Sequence, residues 1–314
     1  MKFTSLEICA GAGGQALGLE KAGFEHKALV EIESPACATL KANRPHWNVI
    51  QADVRQFDGS PYRDIDLLAG GVPCPPFSKA GKQLGANDER DLFPEAIRLT
   101  KETHPKAIML ENVRGLLDPK FEEYRNHITQ QFAQLGYIGQ WKLLYAADFG
   151  VSQLRPRVIF VALLPEYANY FTWPETNLVA PITVGELLLD LMQERGWKNA
   201  NEWHLKANQV APTLVGGSKK HGGADLGPTR SKRAWKELCV DGSGLWDEAP
   251  PEDFIGMPRL TARMTARIQG FPDEWIFVGK KTPAYRQIGN AFPPPVAEAV
   301  GRQIIKALNK ENNE

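Results

Sequence analysis

Cys74 stands in the run Gly70-Gly71-Val72-Pro73-Cys74-Pro75-Pro76-Phe77-Ser78. Three prolines and two glycines around one thiol describe a rigid loop, and rigidity lowers the entropic barrier to attack from a fixed position. A thiol with the ordinary pKa of about 8.5 is only a few per cent thiolate at neutral pH, so a nucleophilic role requires activating surroundings. Cys9, Cys37 and Cys239 have no such loop around them and read as small buried hydrophobes, the common state of free cysteine. Glu111-Asn112-Val113 directly follows the apolar run Ala107–Leu110. A carboxyl group at a strand end beside apolar residues has a raised pKa and can donate a proton near neutrality. The plainer alternative makes Glu111 a cap or surface acid on the following helix.

A third group of residues suits a nucleoside. In Cys9-Ala10-Gly11-Ala12-Gly13-Gly14-Gln15-Ala16, Gly11, Gly13 and Ala16 satisfy G-x-G-x-x-G/A. Small residues there let a ligand lie on the backbone near the positive end of a helix. An acid about 20 residues later can hydrogen-bond ribose hydroxyls, and both Glu31 and Glu33 stand at that distance. Asp53 ends the expected third strand, Asn48–Ala52, where an acid can accept from an adenine amine. A nicotinamide dinucleotide and S-adenosylmethionine both present adenosine to such a crevice. The glycine pattern by itself leaves hydride transfer and methyl transfer open.

These groups need a scaffold that brings strand ends together. Phe3–Ile8 reads as a strand, followed by the glycine turn and a helix over Ala16–Ala22. Lys27–Ile32, Ile65–Ala69, Ala107–Leu110, Leu143–Ala147 and Val158–Leu163 read as further strands. Pro35–Asn43, Leu92–Thr103 and Phe121–Leu135 have helical patterns between them. Strand–helix alternation predicts an α/β fold, a mostly parallel sheet with helices on both faces, and ligands at the carboxyl ends of its strands. Near Tyr170 the character changes. Prolines and the stretch Gly216-Gly217-Ser218-Lys219-Lys220-His221-Gly222-Gly223 interrupt periodicity until about Pro258, which describes a smaller loop-rich lobe. Helical order returns over Leu260–Ile268 and Pro293–Leu308.

At 314 residues the chain is at the size where one core stops growing, so one large domain plus a lobe is expected. Hydrophobic residues at 43% and charged residues at 24% exclude a disordered or collagen-like chain. No apolar run approaches the roughly 20 residues that span a bilayer, and the N-terminus reads as a strand and not a signal peptide. The four cysteines have no paired spacing, so neither a disulfide framework nor a metal site is expected, and a reducing cytoplasm is the simplest home. The 37 basic and 37 acidic residues cancel, which argues against a protein that coats nucleic acid indiscriminately. Locally the balance differs: Lys219, Lys220, Arg230, Lys232, Arg233 and Lys236 face the single acid Asp225 within residues 216–236.

Taken in order, these motifs resemble the DNA cytosine-5 methyltransferases. The glycine turn, Cys74 in its Pro-Cys turn and Glu111 in Glu-Asn-Val are followed by Gln153-Leu154-Arg155-Pro156-Arg157, similar to the family's Gln-x-Arg-x-Arg. Arg259-Leu260-Thr261 through Gln269-Gly270-Phe271-Pro272 resembles its penultimate motif, and Gln287-Ile288-Gly289-Asn290-Ala291 its last. The resemblance covers nearly the whole chain except about 175–255, and the short length is similar to bacterial restriction–modification enzymes.

The resemblance implies roles residue by residue. Cys74 would attack carbon 6 of a flipped cytosine, Glu111 would hydrogen-bond ring nitrogen 3 and the amino group, and Arg157, supported by Arg155 and Gln153, would orient the base. S-adenosylmethionine would lie over Cys9, Gly11, Gly13 and Gly14, with Glu31 on the ribose, Asp53 on the adenine and Asn290 near the methionine end. Ile32, Val54, Pro73, Leu92 and Ala291 would complete that site. Ser78, Thr213, Lys219, Lys220, Arg230, Lys232 and Arg233 would meet double-stranded DNA, and residues 219–230 look similar to recognition segments for GC-rich palindromes such as GCCGGC. Residues 1–178 and 282–314 would form a discontinuous catalytic domain and 179–281 a target-recognition domain. A monomer in the bacterial cytoplasm, acting on the same site as a cognate restriction endonuclease, completes the expectation.

Two departures stand out. Cys9 occupies a place where the family has an aromatic residue, and Pro75 one where it has glutamine. Neither touches the nucleophile or Glu111. Three other readings stand beside this one: a transfer-RNA cytosine-5 methyltransferase, a nicotinamide-dependent dehydrogenase, and a catalytically silent DNA-binding protein. The dehydrogenase leaves the Pro-Cys turn, Glu-Asn-Val and the arginine pair without roles.

Overall fold

A computed structural model describes residues 2–73, 91–176, 180–217 and 223–311. Cys74, Ser78, Lys219 and Lys220, and the expected boundary at 178/179, lie outside the described residues. In chain order the first half runs β1 (Phe3–Ile8), α1 (Gly14–Ala22), β2 (Phe24–Glu31), α2 (Ser34–Asn43), β3 (Val49–Gln51), β4 (Leu67–Gly70), α3 (Phe93–Thr103), β5 (Ala107–Val113), α4 (Glu122–Gln134), β6 (Ile138–Tyr145), β7 (Gln153–Leu154) and β8 (Pro156–Leu163). There follow α5 (Pro165–Ala168), α6 (Val184–Gln193), α7 (Ala200–Lys206), β9 (Ala211–Pro212), α8 (Thr229–Glu237), α9 (Ala262–Ile268), α10 (Lys281–Asn290) and α11 (Pro294–Leu308).

The main sheet has the order β3-β2-β1-β4-β5-β8-β6. Its first five strands are parallel, and β8 runs antiparallel between β5 and β6. The fold is the expected α/β sheet covered on both faces. Its central strands are buried on both sides, so they read as continuous apolar runs. Leu6, Ile8, Leu68, Ile108 and Phe160 pack on one face with Phe93 of α3 and Phe132 of α4. Leu67, Ala69, Met109, Ile159 and Val161 pack on the other with Val296, Val300 and Ile304 of α11. Each such side chain contributes about 1.5–3 kcal/mol when fully buried. The last helix therefore completes the first half's core from the far end of the chain.

Strand ends differ from the sequence expectation in an instructive way. Periodicity predicts a strand over Ala107–Leu110, but β5 runs on to Val113 because β8 pairs along its whole length, Glu111 opposite Ile159 and Val113 opposite Arg157. Glu111 is thus inside the sheet, not a helix cap or a surface acid. Leu143–Ala147 begins earlier, at Ile138, since β6 is an edge strand with alternate residues exposed and shows little apolar pattern at its start.

The segment after Tyr170 is loop-rich, as expected, yet α6, α7 and α8 lie within it. Only Trp203 in α7 and Trp235 in α8 are large buried apolar side chains, so neither helix shows a period in sequence. α6 is fixed at its start by a reciprocal cap: Glu186 N–H donates to Thr183 Oγ1 at 3.2 Å, and Thr183 N–H donates to the Glu186 carboxylate at 2.7 Å. This region has its own core, with Leu188, Trp197, Trp203, Trp235 and Met264. Packing crosses the 281/282 position in both directions. Tyr285 of α10 sits in that lobe core, while Phe271 and Trp275 pack with Leu17, Leu29 and Leu40 beside the sheet. No described helix is long and apolar enough to cross a membrane.

Candidate active site and cofactor cleft

The strand order turns outward from β1 in both directions, and a cleft of about 760 Å³ opens there at the carboxyl ends of β1, β4 and β5. After β1, Cys9 (φ 52), Gly11 (φ 55) and Gly13 (φ 88) turn the chain into α1. Cys9 adopts this left-handed conformation without being glycine, at a cost of roughly 1–2 kcal/mol. Burial and the nearby carboxylates of Glu31, Asp53 and Glu7 push its thiol up, which disfavours the thiolate that a nucleophile needs. Gly11 borders open cleft: a Cβ there would meet nothing within 4 Å. Gly14 is the opposite case, since a Cβ would run into the Phe292 carbonyl. Gly13 faces Leu40 and Trp275 instead of the cleft. It shapes the turn.

Two acids stood at the right distance after the turn, and the structure separates them. Glu31 is buried and accepts from the backbone N–H of Gly11 at 2.7 Å and of Glu33 at 2.7 Å. Burial raises its carboxyl, and those two donors oppose the shift. Glu33 stands at the cap position of α2. Asp53 opens a short 3-10 turn, accepts from Arg55 N–H at 3.0 Å, and lines the cleft. Cys9, Ile32, Val54, Pro73, Leu92 and Ala291 line it too. Asn290 lines its rim, with Nδ2 donating to the Gly217 carbonyl at 3.3 Å.

Sequence reasoning missed two buried polar residues in this cleft. Glu7 on β1 is 1% exposed and its Oε2 has no hydrogen-bond partner among the described residues. Gln15 in the first turn of α1 is 3% exposed, and neither its Oε1 nor its Nε2 has a partner. A buried polar group left unpaired costs about 1–3 kcal/mol, so such groups require an explanation. The available signal was an acid set between the apolar residues Leu6 and Ile8. An open floor beside Gly11, a carboxylate already anchored on the glycine turn and orphaned polar atoms between them fit a nucleoside with a charged tail.

At the other side of the cleft, Glu111 and Arg157 meet. They are diagonal neighbours on one face of the β5–β8 pair, and Arg157 Nε lies 2.6 Å from Glu111 Oε1. Both are largely buried, with side chains 12% exposed. Burial raises the Glu111 carboxyl above its ordinary range, and the guanidinium groups of Arg157 and Arg155 pull against that rise. Gly71 leaves room for the carboxyl: a Cβ there would lie 3.3 Å from Glu111 Oε2. Asn112, also missed as a functional residue, donates from Nδ2 to the Val72 carbonyl at 2.8 Å. Leu92 N–H donates to the Pro73 carbonyl at 3.3 Å. Both stems of the segment that contains Cys74 are therefore tied down beside Glu111.

Gln153 and Arg155 do not reach the cleft. Arg155 is fully buried and donates to the carbonyls of Leu214 at 2.8 Å, Gly289 at 2.7 Å and Ala291 at 3.0 Å. Gln153 accepts from Leu214 N–H at 2.9 Å and donates to Gln269 Oε1 at 2.6 Å, and Gln269 in turn donates to the Ala291 carbonyl. With the β7–β9 pairing, this network fastens the lobe's entry strand to the sheet domain and to α10. Arg155→Met would orphan those carbonyls, and the expected result is a loss of about 3 kcal/mol in unfolding free energy by urea titration. Unchanged stability would mean that the carbonyls find other donors. Thr213 donates to the Leu154 carbonyl on the same junction. On α8, Arg230 and Arg233 are exposed with no acidic partner among the described residues, while Lys232 pairs with Asp225 at 3.0 Å.

Comparison with known proteins agrees with this arrangement. Residues 3–306 match the family described as C-5 cytosine-specific DNA methylase. The Type II methyltransferase M.NgoMIV of Neisseria gonorrhoeae is 71% identical, over 99% of this chain and 100% of that protein. M.NaeI of Lentzea aerocolonigenes is 59% identical over 98% of this chain and 75% of its own length. Among solved structures, a putative DNA modification methyltransferase encoded within an E. coli prophage superposes with a TM-score of 0.68 at 24% identity, covering 98% of this chain and 99% of that one.

Proposed function

The chain belongs to the C-5 cytosine-specific DNA methylase family, and from that premise we propose that it methylates one cytosine within a GC-rich palindrome, GCCGGC, in duplex DNA. It is an S-adenosylmethionine-dependent DNA cytosine-5-methyltransferase, which sets hydride transfer aside. The observation that carries the mechanistic reading is the buried Glu111–Arg157 pair at the lip of the cleft, beside the stems of the Cys74 segment. When bound, S-adenosylmethionine supplies an electrophilic methyl group.

Carbon 5 of cytosine is a poor nucleophile until a thiolate adds to carbon 6. Cys74 makes that bond, and the ring's electron density moves onto carbon 5. Glu111 donates a proton at ring nitrogen 3, which offsets the charge that develops there. Arg157 holds Glu111 in place and orients the base. Once carbon 5 has taken the methyl group, loss of its remaining proton to a base re-forms the carbon 5–carbon 6 double bond and expels Cys74. The target leaves the duplex stack first, because stacking blocks both ring faces.

Glu31 takes the ribose, Asp53 the adenine, and Ile32, Val54, Pro73, Leu92, Asn290 and Ala291 the rest of the cofactor site. Residues 1–178 and 282–314 form the catalytic domain and 179–281 the recognition domain. Ser78, Thr213 and the basic groups Lys219, Lys220, Arg230, Lys232 and Arg233 meet the DNA, where phosphate contacts position and base contacts specify. Arg230 and Arg233, exposed and without an acidic partner among the described residues, support this. The enzyme acts as a monomer in the bacterial cytoplasm and protects DNA from a cognate endonuclease. A Type II relative at 71% identity over its whole length supports site-specific action.

Methyl transfer from labelled S-adenosylmethionine to a GCCGGC duplex, read by bisulfite sequencing, tests this. The expected result is label at carbon 5 of one cytosine in each half-site and none in a scrambled duplex. Equal labelling of both duplexes would overturn the target, and transfer to RNA alone would overturn the substrate class.

A further inference from the structure

We propose that Arg286 of α10 holds a backbone phosphate beside the flipped cytidine, so that the DNA strand is gripped from the C-terminal part of the chain as well as from the recognition lobe. The proposal deepens the substrate reading above and rests on it.

Among the described residues that line the cleft, three carry a guanidinium group: Arg55, Arg157 and Arg286. Arg55 pairs with Asp53 at 3.4 Å and Arg157 with Glu111 at 2.6 Å. Arg286 has no ion pair among the described residues. Its Nε is shut off from solvent and has no hydrogen-bond partner there either. A guanidinium stays charged and presents its donors in a rigid fork. One left without a partner beside a cleft suits an anion with paired oxygens. Phosphate and carboxylate both meet that requirement.

Position selects between them. Arg286 and Asn290 are one helical turn apart and share a face of α10. The strip Val215–Gly217 lies against this helix. A Cβ at Gly216 would lie 2.6 Å from the Arg286 carbonyl, and Asn290 Nδ2 donates to the Gly217 carbonyl at 3.3 Å. Arg155 fixes the two together by donating to the carbonyls of both Leu214 and Gly289. The same strip meets the start of α8, because Gly227 lies against Val215 and Ser231. Arg230 and Arg233 of α8, both exposed, and Arg286 of α10 therefore border one fixed piece of backbone, each without an acidic partner among the described residues. Three such cations along one strip describe a track for successive phosphates, which a single cofactor carboxylate does not require. Of the three, only Arg286 lines the cleft that also holds Glu111. The phosphate within its reach is thus one next to the base that enters the cleft.

Fluorescence anisotropy on a self-complementary GCCGGC duplex, with S-adenosylhomocysteine present, tests the contact in two ways. The first is salt. Arg286→Gln is expected to flatten the plot of log K against log salt by about 0.9, the value for one phosphate, and Arg286→Lys, which keeps the charge, to restore the slope. The second is removal of the phosphate charge by a methylphosphonate placed at each position in turn. At a phosphate beside the methylated cytosine this is expected to weaken the wild-type protein about tenfold and Arg286→Gln by no more than about twofold, since a hydrogen bond to a charged group is worth roughly a factor of ten. An unchanged salt slope in Arg286→Gln, or the wild-type sensitivity retained at every phosphate, would overturn the proposal. So would a variant that binds S-adenosylhomocysteine several-fold more weakly with its DNA data unchanged, because that result would give Arg286 to the cofactor's carboxylate. Failure of the wild-type protein to bind the duplex at all would instead overturn the substrate reading itself.

Discussion

Glu111→Gln lowers the rate of methyl transfer by about 10²–10⁴-fold, the range for loss of a positioned proton donor, while cofactor affinity stays within about twofold. Glutamine keeps the shape and one hydrogen-bonding oxygen beside Arg157 Nε, which lies 2.6 Å from the native carboxylate. It cannot deliver a proton to ring nitrogen 3. Single-turnover kinetics at saturating DNA, paired with equilibrium cofactor binding, separates the two effects. The pH profile gives an independent check. Burial raises the Glu111 carboxyl, and the protonated form is the donor, so its contribution falls as pH rises through that raised value. A thiolate nucleophile moves the other way, gaining population as pH rises. A bell-shaped profile is expected for the wild-type protein, and Glu111→Gln removes the limb that depends on the carboxyl. A variant with normal rate and an unchanged profile would remove Glu111 from the chemistry.

Cys74→Ala abolishes turnover while DNA binding persists. The two other cysteines near the glycine turn and the second helix are poor substitutes for the attack on carbon 6. Cys9 is held protonated by burial and surrounding carboxylates, and Cys37 is buried with its thiol pushed up to about 11. The fixed stems at Val72 and Pro73 are formed by backbone carbonyls, so the substitution leaves them intact. Transfer of labelled methyl groups and a filter-binding assay on the same duplex measure the two properties side by side. Turnover at the wild-type rate would require a mechanism without covalent addition. Loss of DNA binding in parallel would point to a folding defect.

The scaffold was readable because its central strands are buried on both faces and its helices have one apolar side. β1, β2 and β4, with the glycine turn, follow from local pattern alone. So does α11, whose Val296, Val300, Ile304 and Leu308 repeat at helical spacing. α7 and α8 were not readable, because each contributes one tryptophan to a core built from distant segments. Glu111 was legible as a chemical residue and illegible as a strand residue, since its place in β5 depends on β8 pairing with it from some 45 residues further along.

By itself, the order of residues determined the chemistry available to this protein: a thiol in a proline-rich turn, a carboxyl after an apolar strand, and a glycine turn followed by spaced acids. These are local facts, and local spacing carries them. Only the tertiary structure decided which of those residues work together. It divided the Gln153, Arg155 and Arg157 motif, placing Arg157 against Glu111 and burying Gln153 and Arg155 in the junction between lobe and sheet. It chose Glu31 over Glu33 for the glycine turn. It also brought Glu7 Oε2 and the Gln15 carboxamide into one cleft with no hydrogen-bond partner among the described residues. Hydrogen-bond satisfaction is settled between segments far apart in the chain, so no reading of neighbours along the sequence could have assigned it.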